Sequence, residues 1–184
     1  MKNFNNISFF RLGLTMLFLL IIFIAFSQDK RPLFLGIQPG TTKEKFYSKN
    51  ELDINILPLV VEFPVTKRVN LRFTSVLNYH IGDKNQISDI GIQAVAPVFF
   101  RKNESIKRRN FGFYIGPVLG LGQNIMNDHF TTTLAVEPGY LFKTTKKFTV
   151  SLGIQYGGSH FNYKNGNNEW HEHFGIKANL GFWL

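Results

Sequence analysis

The sequence predicts an all-β fold, an eight-stranded antiparallel up-and-down transmembrane β-barrel, and three observations predict it. Apolar and polar residues alternate with period two over long stretches, with no 3.6-residue periodicity between them. Bulky side chains gather on one face of these stretches, while Gly, Ser, Thr and Asn gather on the other. The composition agrees: 20 Phe and 16 Gly stand beside only 18% charged residues, as suits a barrel whose outside meets lipid and whose inside is short of space.

Residues 1–27 read as a cleaved secretory signal peptide. Lys2 and Arg11 precede an apolar run from Leu12 to Phe26, and Ala25 and Ser27 are the small residues expected before a cleavage site at Gln28. An apolar core of about 15 residues is shorter than the roughly 20 that a bilayer-spanning helix needs. Residues 28–184 then form one outer-membrane β-barrel domain. They contain no second long apolar run, so strands must do any spanning.

The strands follow in order. A short first strand is expected near Leu33–Gln38, between Pro32 and Pro39. The second runs from Leu52 to Phe63. Its apolar set changes parity from Leu52, Ile54 and Ile56 to Leu57, Leu59, Val61 and Phe63, which predicts a bulge near Pro58. The third spans about Val69 to Ile81 and the fourth about Ile87 to Arg101, with Ile90, Ile92, Ala94, Ala96, Val98 and Phe100 sharing a face. In the fifth, Phe111, Phe113, Ile115, Leu119 and Leu121 oppose Gly112, Gly116, Gly120 and Gly122. The sixth sets Phe130, Leu134, Val136, Tyr140 and Phe142 against Thr131, Thr133, Ala135, Glu137 and Gly139. The seventh alternates Phe148, Val150, Leu152, Ile154 and Tyr156 with Thr149, Ser151, Gly153, Gln155 and Gly157. The eighth alternates Phe174, Ile176, Ala178, Leu180, Phe182 and Leu184 with Gly175, Lys177, Asn179, Gly181 and Trp183.

Alternation alone does not say which face is outside; side-chain volume does. Eight strands enclose a lumen just wide enough for side chains to fill. The phenylalanines of the oily face are too bulky to share it, so they are expected outside, where only lipid tolerates so much apolar surface. With its closing segment Lys177-Ala-Asn-Leu-Gly-Phe-Trp-Leu184, the chain resembles the small outer-membrane barrel proteins of the OmpA/OmpX type over nearly all of residues 28–184. The resemblance implies that Phe182, Trp183 and Leu184 form the C-terminal signal presented to the barrel-assembly machinery, although Leu184 stands where Phe is usual. It also implies an outer-membrane location in a Gram-negative envelope, both termini in the periplasm, and outer-membrane lipids as partners. A monomer is expected.

In that orientation the connections near 39–51, 82–88, 123–129 and 161–170 face outward, and those near 64–68, 102–110 and 143–147 face the periplasm. The three periplasmic ones are basic (Lys67 and Arg68; Lys102, Lys107, Arg108 and Arg109; Lys146 and Lys147) and are expected to contact lipid headgroups. Asn165-Gly166 marks a tight turn in the last hairpin, and the neighbouring Phe161, Tyr163 and Trp170 fit an interfacial girdle. The net charge of +9 is dispersed in short clusters, which does not favour nucleic acid, and zero cysteines exclude disulfides and thiolate metal sites.

Three sets of residues carry possible chemistry. His171 and His173 share a strand face and, with His129 or His160, are weak candidates for a zinc or copper site; no metal or cofactor is expected. A lipid A deacylase-like enzyme is the second function class, with His160 and Glu172 near the outer rim. The nucleophile position of a His-x-Ser motif is Asn162 here, however, and Ser159 points to the opposite face from His160. Glu62, Arg72, Glu137 and Lys177 are expected inside the barrel as a polar network that fills the lumen. A narrow channel for small solutes is the alternative. The reading that follows is a non-enzymatic, porin-like barrel of the cell envelope, with a structural or surface-interaction role.

Overall fold

A computed structural model describes residues 31–42, 51–144, 147–164, 166 and 168–184. The expected signal peptide, Lys146 and Asn165 lie outside the described residues, which contain strands and no helix. We number the staves of the sheet β1 (Phe34–Ile37, continued by Thr41–Thr42), β2 (Leu52–Asn55 and Leu59–Pro64), β3 (Asn70–Ile81), β4 (Gln86–Val95 and Val98–Phe99), β5 (Gly112–Asn124), β6 (His129–Lys143), β7 (Phe148–Tyr163) and β8 (Asn168–Trp183). Each pairs antiparallel with the next, and β1 pairs with β8 from Phe34↔Trp183 to Ile37↔Leu180, closing an eight-stranded barrel.

The period-two pattern sets the two faces. Phe113, Ile154, Phe174, Ile176 and Phe182 point outward and are between 49% and 72% exposed, while their strand neighbours Tyr114, Gln155 and Trp183 are buried. Phe111 departs from the expected outward set. Gly112 has φ +99°, a backbone state that L side chains avoid, and across it the alternation reverses. Phe111 is therefore only partly exposed and packs against the buried cluster inside.

The kink at Pro58 is present and is patched by side chains. Ile56 and Leu57 are both exposed, whereas Val60 and Glu62 beyond the kink face inward. Four residues of β2 here lie opposite three of β3, so the backbone ladder loses its step. Asn55 Oδ1 accepts from the Leu57 and Leu77 amides at 3.1 and 3.2 Å, and Ser75 Oγ donates to the Leu57 carbonyl at 2.5 Å while accepting from the Leu59 amide at 3.1 Å. These side chains satisfy the backbone groups that the kink frees. A second irregularity, between Asn78 and Tyr79 of β3, leaves Ser88 of β4 unpaired and lets both Ser88 and Asp89 hydrogen-bond inside.

Candidate functional site

The lumen is built from the inward residues, and its two halves differ. At the end holding the first residue of β1 and the last of β8 (the terminal end), Phe34, Val60, Phe99, Tyr114, Leu141 and Trp183 form a buried cluster. Phe34 stacks on Trp183 and Phe99 on Tyr114, with ring centroids 5.5 and 5.4 Å apart. Volume arguments from sequence expect only small and polar side chains inside; these rings fit because glycines on neighbouring strands make room. A Cβ on Gly36 or Gly181 would lie 2.7 Å from the Phe34 ring, and one on Gly139 would lie 2.4 Å from the Tyr114 hydroxyl.

Above this plug sits the ionic centre. Arg72, on β3, is 1% exposed and bridges two strands on opposite sides of it: its Nε donates to Glu62 Oε2 at 2.6 Å and its Nη1 to Glu137 Oε1 at 2.7 Å. Tyr114 Oη donates to the same Glu137 oxygen at 2.7 Å. The two carboxylates, both in hydrogen-bonding geometry, offset the cost of burying the guanidinium. Of the four residues expected to form a network, the structure brings together Glu62, Arg72 and Glu137. Lys177 faces inward but makes no ion pair among the described residues; its chain lies over Gly175, where a Cβ would be 3.2 Å from Cε. Its ammonium faces a triad that by itself carries one excess negative charge.

Sequence reasoning missed most of the polar partners. Asn70 Nδ2 donates to Glu62 Oε1 (2.5 Å), Asn110 Nδ2 to Asn70 Oδ1 (2.6 Å) and Asn103 Nδ2 to Asn110 Oδ1 (2.7 Å), so the chain of contacts leaves the lumen into the connection after β4. On the other side Gln155 Nε2 donates to Glu137 Oε2 (2.6 Å) and to Gln93 Oε1 (2.9 Å), while His173 Nε2 lies 3.1 Å from Gln155 Oε1. The inward parity of Gln155 is a usable signal. Asn103 and Asn110 sit in a non-repeating loop and carry none.

The opposite (distal) half is an open cup of about 330 Å³. Its wall is short of side-chain bulk: Gly120, Gly122 and Gly175 face it beside Thr131, Thr133 and Ser159, with Lys177 at its base. Phe161 is inward and only 6% exposed, stacked 4.8 Å from both His129 and His171, so it belongs to the lumen and not to an outer aromatic girdle. Trp170 does face out, 65% exposed, against His160 at 5.0 Å.

The four histidines considered for a metal are therefore dispersed. His160 is on the outer face, His129 and His171 sandwich Phe161, and His173 binds Gln155; among the described residues no three His, Asp or Glu side chains converge as ligands. Ser159 faces inward onto Thr133 (2.8 Å between hydroxyls), away from His160. A Ser/His/Asp grouping that the sequence did not suggest lies near the distal ends of β2, β3 and β4. Asp53 Oδ1 is 2.9 Å from His80 Nδ1, and Ser88 Oγ donates to Asp53 Oδ2 at 2.8 Å. The hydroxyl is on the carboxylate and not on the imidazole, which is the wrong order for base activation of a nucleophile.

Of the C-terminal triplet, Phe182 and Leu184 face outward at 55% and 69% exposure, and Trp183 is buried in the plug. Comparison with family models, with curated proteins and with solved structures finds no match to this chain.

Proposed function

We propose that this chain is a non-enzymatic outer-membrane barrel protein of a Gram-negative cell envelope, with a structural or surface-interaction role and a lumen that does not conduct. The observation that carries the reading is the outer face. Apolar side chains from Leu35 and Ile37 on β1 round to Ile176 and Phe182 on β8 are exposed, giving a continuous belt that water disfavours and hydrocarbon accepts. Closure pairs the first and last strands with each other, the arrangement a bilayer favours.

The lumen supports the non-conducting part of the proposal. The ring plug and the Arg72 triad cross the barrel where a pore would have to run. Both termini are assigned to the periplasm, outer-membrane lipids are the surrounding partner, the end of β8 is read by the barrel-assembly machinery, and the protein is monomeric. Export by the first 27 residues belongs to the same proposal.

Cell fractionation with heat-modifiable gel mobility tests it. The protein is expected in the outer membrane, with different mobility before and after boiling. Recovery in a soluble fraction without detergent would overturn the membrane assignment. Planar-bilayer recording tests the lumen: steady single-channel conductance from the wild type would overturn the seal.

A further inference from the structure

The terminal mouth holds a basin of about 660 Å³ whose charge is almost all of one sign. Arg101 and Lys102 follow β4, Lys107 and Arg109 come from the connection 100–111, Lys143 ends β6 and Lys147 comes from the β6–β7 turn. Among the described residues the one acidic side chain on its wall, Glu104, is already paired with the remaining cation, Arg108, at 2.6 Å, and the α-carboxylate of Leu184, which also lines it, accepts from the Leu33 amide at 3.4 Å. We propose that this basin is a binding site for a phosphate-bearing anion.

Two features separate it from ordinary turn-flanking charge. It is concave, so its cations point at a shared space, and a cleft lined by one sign of charge focuses field and concentrates counter-ions. Its walls are held in place. Arg101 and Lys143 lie over the Phe111 ring, 4.6 and 5.8 Å from its centroid, and Asn103 ties the connection to the Arg108 carbonyl, to Asn110 and, through its own amide, to the Lys67 carbonyl. Trp183 lines the basin at 3% exposure, so its indole signal reports on what occupies the cavity. Arginine and lysine together suit phosphate, the guanidinium by its bidentate fork and the ammonium as a point charge.

The phosphate has two chemical sources, a lipid headgroup or a soluble phosphorylated molecule, and the test separates them. The chain has two tryptophans, so Trp170→Phe leaves one indole N–H resonance, that of Trp183. The folded protein in dodecyl maltoside is titrated with inorganic pyrophosphate and, separately, with phosphatidylglycerol against phosphatidylcholine in mixed micelles. A saturable shift of the Trp183 indole signal is expected, weakened at least tenfold by the double reversal Lys107→Glu, Lys147→Glu and unchanged by Lys84→Glu in the distal connection. Response to phosphatidylglycerol alone assigns a headgroup, and response to pyrophosphate alone assigns a free phosphate. Response to both assigns the shared group. No saturable shift with either probe, or equal effects of the two reversals, overturns the site. Because the experiment is run in neutral detergent, its failure leaves the membrane assignment untouched.

Discussion

The two halves of the lumen use the same alternation to opposite ends. In the terminal half, inward positions hold Phe34, Phe99, Tyr114, Leu141 and Trp183, and glycines serve as seats for those rings. In the distal half, inward positions hold Gly120, Gly122, Thr131, Thr133 and Ser159, and glycines leave space empty. One closed sheet therefore carries a ring-filled base and an open cup, with Arg72 between them. Whether an inner glycine is filled depends on the residue beside it on the next strand, a tertiary property.

The largest test of this contrast is at the boundary. Arg72→Ala strands two buried carboxylates and is expected to destabilise the barrel by about 3–5 kcal/mol, read as a lower urea midpoint in a folding titration in detergent. Replacing all three members, Glu62→Gln with Arg72→Met and Glu137→Gln, should recover much of that loss, because no uncompensated charge remains. A triple variant as unstable as Arg72→Ala would show that the ion pairs are not what makes the single change costly.

Next comes a pair on one strand. Leu141→Ala opens a cavity in the plug and should cost about 2–5 kcal/mol. Leu134, on the outer face of the same strand and 53% exposed, has no protein cavity to leave, so Leu134→Ala should cost about 0.5 kcal/mol or less. Equal losses at the two positions would contradict the division into inner and outer faces.

The glycines give the finest comparison. A Cβ at Gly139 meets the Tyr114 hydroxyl at 2.4 Å and the Leu152 carbonyl at 2.6 Å, whereas one at Gly122 meets only the Ile90 carbonyl at 3.6 Å. Gly139→Ala is expected to destabilise by about 1–3 kcal/mol and Gly122→Ala by about 0.5 kcal/mol or less. If Gly122→Ala were the worse of the two in the same titration, the cup would be smaller than described.

Much of the candidate site was legible in parity. Glu62, Arg72, Glu137 and Lys177 all face inward, and Glu62 does so because the bulge at Pro58 was readable from the change of apolar phase. Phe111 and Phe161 were misplaced for different reasons. A single positive φ at Gly112 reverses the alternation before Phe111, and the period simply places Phe161 inside, where two imidazoles give it a stack. The basin was visible only as three scattered basic turns.

The sequence by itself determined that the chain makes alternating strands, how many staves they form, and which face of each is apolar, because side-chain direction in a strand follows position alone. Only the tertiary structure decided what meets across the lumen. It seated rings on glycines of other strands, placed Arg72 between carboxylates ten residues before it and 65 after it, and gathered dispersed cations around one concavity. Such contacts depend on register and closure, and no local window of residues contains either.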